Sequence, residues 1–294
     1  MARTWLITGA SRGLGRELSR AVLENGDRLL ATARRPEQLS EFAERYGDQV
    51  RTVALDVTDA EAAEAAVRTA VAEFGGLDVV ANNAGYANSG AIEDTSPAEF
   101  RAQIETNLFG VINVSKAALP VFRKQRSGLF LQFSSVGGRV GATPGLGPYQ
   151  TAKFGLEGFS EVLAAETEPL GIKVVIVEPG GFRTDWAGSS MAIAETSEDY
   201  AATVGWMHTY RAQSDGKQPG DPARAARILV KVAGLADPPR RLLLGSDAVD
   251  LSLAAGRTRQ DEAVAWAPVG RAADFASDVD LGRTSLEDLL AQAR

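Results

Sequence analysis

The stretch from Thr8 to Gly15, TGASRGLG, constrains this chain more than any other. It lies between an apolar run, Thr4-Trp5-Leu6-Ile7, that reads as a buried strand, and a pattern in which Leu14, Leu18, Ala21 and Val22 recur at helical spacing. Strand, glycine turn and helix in that order present the unpaired N–H groups and partial positive charge of a helix N-terminus to an anion. Gly9 supplies the tight turn. Gly13 and Gly15 carry no side chain that would hold a ligand's phosphates off the backbone. The spacing is G-x-x-x-G-x-G rather than the commoner G-x-G-x-x-G, so a purely structural glycine turn stands beside the phosphate-binding reading.

The chain then alternates. Strands are predicted over Arg28–Ala33, Val50–Leu55, Leu77–Ala81, Leu129–Phe133, Val174–Val177 and Arg241–Leu244. Helices are predicted over 37–46, 59–73 with Asp59 as N-cap, 97–124, from before Tyr149 to about Glu168, and after Asp221. This rhythm implies an α/β fold: a single-domain, Rossmann-like, doubly wound parallel sheet of about seven strands with helices on both faces, spanning residues 1–294. Such a sheet collects its ligands at the carboxyl ends of its strands. From Trp186 to Gly220 the period is lost and Trp186, Met191, Tyr200, Trp206, Met207 and Tyr210 crowd together, which fits a substrate lid or an ordinary pair of packed helices. Residues 247–294 read as a C-terminal helical appendage, with Thr284 and Glu287 spaced as a capping box ahead of Leu286, Leu289 and Leu290.

Composition narrows the chemistry. The 31 basic and 38 acidic residues leave a net charge of −7, which argues against nucleic-acid binding through a basic surface. No apolar run is long enough to span a membrane, and a strand beginning so near Met1 leaves no room for a signal peptide, so a cytoplasmic protein is expected. With no cysteine and one histidine, His208, neither thiol catalysis nor a metal site is expected. Serine, tyrosine, lysine, asparagine and carboxylates remain. Tyr149 and Lys153 stand at i, i+4 on one predicted helix and share a face. A phenol has a pKa of about 10, and a nearby ammonium favours the phenolate, which makes the tyrosine usable as a general acid or base.

Residues 3–185 resemble the short-chain dehydrogenase/reductase family in its compact single-domain branch. The matches, in order, are TGASRGLG at 8–15, Asp56 after the third strand, NNAG at 82–85, Asn107, the serines 134–135, YQTAK at 149–153 and PGGFRT at 179–184. The resemblance implies that Tyr149 exchanges a proton with the substrate oxygen and that Ser135 orients that oxygen. Lys153 would lower the Tyr149 pKa and bind the nicotinamide ribose, and Asn107 would hold a water leading from Lys153 to solvent. Ser135 lies 14 residues before Tyr149, one more than the family pattern, which points to an extra loop residue near Ala142-Thr143 and leaves Ser134 as a rival. Alternation along a strand lets only one of the two serines reach substrate.

The same resemblance implies a cofactor cleft formed by Gly9, Ser11, Arg12, Gly13, Leu14, Gly15, Arg34, Asp56, Val57, Asn83, Ala84, Gly85, Tyr149, Lys153, Pro179, Gly180, Phe182 and Thr184. Within it, Asp56 would face the adenine and Thr184 the carboxamide. On their own terms Asp56 fits a turn, Asn107 a backbone bridge and Asn83 a tie between strands. An acidic residue ending the second strand would select NAD(H) by binding the ribose 2′-hydroxyl. Here Arg34 and Arg35 stand in its place, with Arg12 in the glycine loop, so NADP(H) is expected over NAD(H), although one of the two adjacent arginines reads as solvated. The expected activity is hydride exchange between NADP(H) and a carbonyl or secondary alcohol of an apolar small molecule, in a homodimer or homotetramer. A regulatory sensor that binds NADP(H) without turnover, and a related lyase or epimerase, are the alternatives.

Overall fold

The computed structural model describes residues 2–186 and 191–291. The chain divides into two compact units, Met1–Ala248 and Val249–Arg294. In chain order the strands are β1 (Thr4–Ile7), β2 (Arg28–Ala33), β3 (Val50–Ala54), β4 (Val79–Asn82), β5 (Asn88–Ser89), β6 (Gly128–Phe133), β7 (Ile172–Pro179), β8 (Ala192–Ile193) and β9 (Arg241–Leu244). The helices are α1 (Gly13–Glu24), α2 (Ser40–Tyr46), α3 (Ala60–Phe74), α4 (Pro97–Ile104), α5 (Gly110–Gln125), α6 (Val136–Arg139), α7 (Gly147–Thr167), α8 (Trp206–Ser214), α9 (Pro222–Val232), α10 (Ser246–Arg271) and α11 (Leu286–Ala291).

Seven parallel strands form one sheet in the order β3-β2-β1-β4-β6-β7-β9. Successive residues of β1 serve opposite faces: Trp5 and Ile7 join one apolar cluster with Leu18, Val22, Phe42, Ala225 and Leu229, and Leu6 joins the other with Val67, Val114, Phe122, Phe130 and Leu163. A strand buried on both faces needs a continuous apolar run, which explains why Trp-Leu-Ile shows no polar alternation. Full burial of Leu6 contributes about 2 kcal/mol. The strand order reverses between β1 and β4, and the crevice at the carboxyl ends there is where such a sheet binds ligands.

Caps set several boundaries. Asp59 accepts from the N–H groups of Glu61 and Ala62 ahead of α3, and Asp221 does the same for Ala223 and Arg224 ahead of α9. The long helix expected over 97–124 opens with a Ser96–Glu99 capping box but is interrupted by a π turn over Glu105–Phe109. The segment after Ser135 contains the single turn α6, and Ala142 takes φ +58° in the loop that follows.

The predicted lid forms the two-residue pair β5–β8, a π turn over Ala201–Gly205 and α8; residues 187–190 of that stretch lie outside the described residues. Ser89 holds α8 through His208 Nε2 at 2.9 Å and Arg211 Nη1 at 2.6 Å. In the second unit the capping box sits one residue later than expected. Thr284 N–H is already used by Asp280 O, so Ser285 caps α11 and exchanges bonds with Asp288.

Candidate active site

At the carboxyl ends of β1 and β4 a cleft of about 690 Å³ runs from the glycine turn to Tyr149. Gly9 and Gly13 take φ of +66° and +55°, a region that disfavours any side chain. Asn83, the residue after β4, ties the turn down: its Nδ2 donates to Thr8 O at 2.9 Å and Gly9 O at 3.1 Å, while Thr8 Oγ1 accepts from the N–H groups of Asn83 and Ala84 at 3.0 Å each. Of the residues the sequence places around a cofactor, only Gly15 does not line the cleft. It faces inward, where a Cβ would overlap Gly9 O and Asn83 Nδ2, so its smallness serves helix-to-strand packing.

The outer end of the cleft carries charge. Arg34 and Arg35 follow β2 as exposed side chains on its wall, with Arg12 and Arg16 opposite from the glycine loop and α1. Arg16 is paired with Glu41. Asp56 accepts from Thr58 N at 3.0 Å and Thr58 Oγ1 at 2.8 Å, and these bonds, helped by the Arg34 charge, hold its carboxyl below the usual range.

The inner end gathers the proton-transfer candidates. Tyr149 and Lys153 project from the first two turns of α7; both are buried, with Lys153 Nζ 5.7 Å from the Tyr149 ring centre. The Ser135 hydroxyl borders the same end of the cleft, where it acts to lower the Tyr149 pKa, and it accepts from Gly137 N at 3.0 Å. Ser134 borders the same cleft, yet its Oγ turns away and donates to Glu157 Oε1 at 2.6 Å. Lys153 Nζ donates to Phe133 O at 2.7 Å. The π turn swings Asn107 inward, where its amide donates to Tyr86 O at 2.9 Å and accepts from Tyr86 N at 3.2 Å. Nothing in the residue pattern marks that π turn.

Electrostatics correct one expectation. Burial raises the Tyr149 phenol to about 12, against the lowering effect of Ser135, and the charge of Lys153 does not bring it down. Burial also lowers Lys153 to about 8, with Glu157 pushing it back up. Desolvation opposes charge on both groups and outweighs any attraction between them.

Around the cleft, packing adds contacts that the sequence does not show. Trp186 lines the cleft with its ring 5.3 Å from that of Tyr149, and behind the two Ala87, Leu146 and Met191 form a small buried apolar cluster. Gly181 N–H is held by Asp247 Oδ2 at 2.7 Å, from the start of α10. Asp247 becomes a neighbour only once β9 has paired with β7, so spacing along the chain could not reveal it.

A donor-rich glycine turn, an arginine wall and a phenol–ammonium–hydroxyl group at the far end fit a phosphate-bearing dinucleotide lying along the cleft. Comparisons with known proteins agree. A family model described as short chain dehydrogenase matches residues 3–193. An oxidoreductase, BOA17, of Botryotinia fuckeliana is 51% identical over 85% of this chain and 91% of its own length. The crystal structure of a short-chain dehydrogenase from Streptomyces avermitilis superposes with a TM-score of 0.87 at 39% identity, covering 94% of this chain and all of that one. An alcohol dehydrogenase from the archaeon Thermococcus sibiricus, solved with 5-hydroxy-NADP, superposes with a TM-score of 0.67 at 27% identity over 83% of this chain and 96% of that one. The chain therefore belongs to the short-chain dehydrogenase family of nicotinamide-dependent oxidoreductases.

Proposed function

We propose that this protein reduces the carbonyl of an apolar small molecule with NADPH, or oxidises the corresponding secondary alcohol with NADP. The observation that carries the reading is the meeting of Tyr149, Ser135 and Lys153 at one end of a cleft whose other end is walled by Arg34 and Arg35. When bound, the nicotinamide supplies or takes the hydride. The protein's own groups handle the rest. Tyr149, with its pKa pushed up to about 12, carries its proton at neutral pH and gives it to the carbonyl oxygen. Ser135 donates a hydrogen bond to the same oxygen, while Ser134 is committed to Glu157. Lys153 offers its charge beside the phenolate that forms and hydrogen-bonds the ribose hydroxyls; Asn107 orders the path by which the proton is replaced.

The absence of a carboxylate at the end of β2 supports NADP(H), since a guanidinium pairs with a 2′-phosphate that an acidic residue would repel. The relative solved with 5-hydroxy-NADP points the same way. Trp186, which lines the cleft beside Tyr149, favours an apolar substrate, and Phe154 and Val162, exposed on α7, offer a face for pairing with a second copy. None of the described helices is long and apolar enough to cross a membrane; the reading places the enzyme in the cytoplasm.

The test is nicotinamide absorbance on purified protein, with NADPH and NADH offered separately against apolar ketones and aldehydes. Turnover with NADPH that Tyr149→Phe lowers by about 10²–10⁴-fold supports the reading. NADPH binding without consumption across the panel refutes it in favour of a sensor.

A further inference from the structure

Behind the reacting groups lies a buried chain of charges that no step above uses. Glu157 stands on α7 four residues beyond Lys153, so the two side chains share a helix face. It is 6% exposed, and both its oxygens are engaged: Oε1 accepts from Ser134 Oγ and Oε2 from Arg241 Nη1, each at 2.6 Å. Arg241, from β9, also bonds the fully buried Glu178 of β7 at 2.6 Å and the exposed Glu161 of α7, and Arg139 of α6 reaches Glu178 at 3.4 Å. A Cβ on Gly138 would touch Ser134, Glu157 and the Lys153 stem at once, which shows how tightly the three are packed.

Lys153 is faced by Tyr149 and Glu157 from its own helix, by the Phe133 carbonyl from β6 and by the Gly85–Asn107 contact across the cleft. Glu157 supplies the negative charge that acts on it, against the cost of burial. We propose that Glu157 is a positioning residue of this reaction: its carboxylate, clamped by Ser134 and Arg241, holds Lys153 as an ammonium in a buried site and sets the upper pH limit of turnover. The inference rests on the reading of Lys153 as the partner of Tyr149.

The experiment is the pH profile of kcat/KM for NADPH-dependent ketone reduction, from about pH 6 to about pH 10, for the native protein, Glu157→Gln and Glu161→Gln. The native rate falls through about pH 8 as Lys153 loses its proton. The amide introduced by Glu157→Gln keeps the size and an acceptor for Ser134 but no charge, and the falling limb moves down by roughly one pH unit, as expected for a buried charge one helical turn away. Glu161→Gln, on the exposed side of the same arginine, leaves the limb in place. A Glu157→Gln limb that coincides with the native one or lies above it overturns the proposal, as does a native profile with no limb below about pH 10. If Glu157→Gln does not fold, Glu157→Asp, which keeps the charge but draws it back by one methylene, carries the test as a smaller downward shift of the same limb, and a limb that stays in place overturns the proposal. Full activity in Tyr149→Phe is a different failure: it removes the functional reading on which the inference stands.

Discussion

Replacing Gly15 by alanine separates two effects of opposite sign. On propensity alone, alanine inside α1 stabilises by about 1 kcal/mol. The structure puts the new Cβ against Gly9 O and Asn83 Nδ2, neither of which can yield freely. Gly9 is fixed by its left-handed turn, and the Asn83 amide is held by Thr8 O at 2.9 Å and Gly9 O at 3.1 Å. Losing both of those bonds costs about 1 kcal/mol each, and overpacking adds about 1–3 kcal/mol. After the propensity gain the net loss is about 3 kcal/mol, which lowers the midpoint of thermal unfolding by roughly 6–12 °C in a unit of this size. The control is Gly158→Ala on α7, where the glycine is exposed and a Cβ meets nothing within 4 Å. That variant gains about 0.5–1 kcal/mol. Urea and thermal unfolding of both variants, followed by circular dichroism, read the difference, and NADPH affinity reports whether the turn has moved. Gly15→Ala at or above native stability, with native NADPH affinity, refutes the packing argument and returns Gly15 to the role of a ligand contact.

Three further outcomes follow from the site. Arg34→Ala raises the KM for NADPH by about tenfold and leaves that for NADH nearly unchanged, as steady-state kinetics with both cofactors measures, because only NADPH carries the phosphate a guanidinium binds. Ser135→Ala lowers kcat by about 10²-fold or more with little effect on folding; Ser134→Ala has the reverse pattern, since its hydroxyl serves buried Glu157 and its loss costs about 1–3 kcal/mol in urea unfolding. Lys153 is held at about 8, below its ordinary 10.5, so between these values the unfolded chain binds more protons and native stability rises with pH. Lys153→Met accordingly gains about 2 kcal/mol over native at pH 7, after loss of the bond to Phe133 O, and that advantage shrinks as pH approaches 10.5 in urea titrations.

Local signals in the chain sufficed wherever one segment determined its own geometry. The apolar runs, Asp59 and Asp221 as caps, and the glycine turn located the seven strands and most helices to within a few residues. Signals that depend on three-dimensional closure did not show. The π turn that aims Asn107 arises from one surplus residue in a continuous helical pattern, and the capping box of α11 moved one residue because Asp280 had already taken the Thr284 N–H. The bond that turns Ser134 away from the cleft goes to Glu157, 23 residues along the chain, so adjacent serines alone could not reveal it.

The sign of the tyrosine shift was the least legible, since i, i+4 spacing fixes which groups meet but not how much water remains between them. With both groups buried, desolvation leaves Tyr149 a phenol and brings Lys153 close to losing its charge at neutral pH. At that pKa the phenol keeps its proton at neutral pH and so stands in the form that can give one, while as a weak acid it depends on the phenolate being stabilised as it forms. Giving that proton away creates a buried phenolate, and a lone buried anion is costly unless a cation stands beside it. On this reading the charge on Lys153 matters most in the instant after proton transfer, when Tyr149 is an anion. A lysine held near 8 has little margin, which makes the nearby carboxylate of Glu157 a condition of the chemistry as much as a part of the packing.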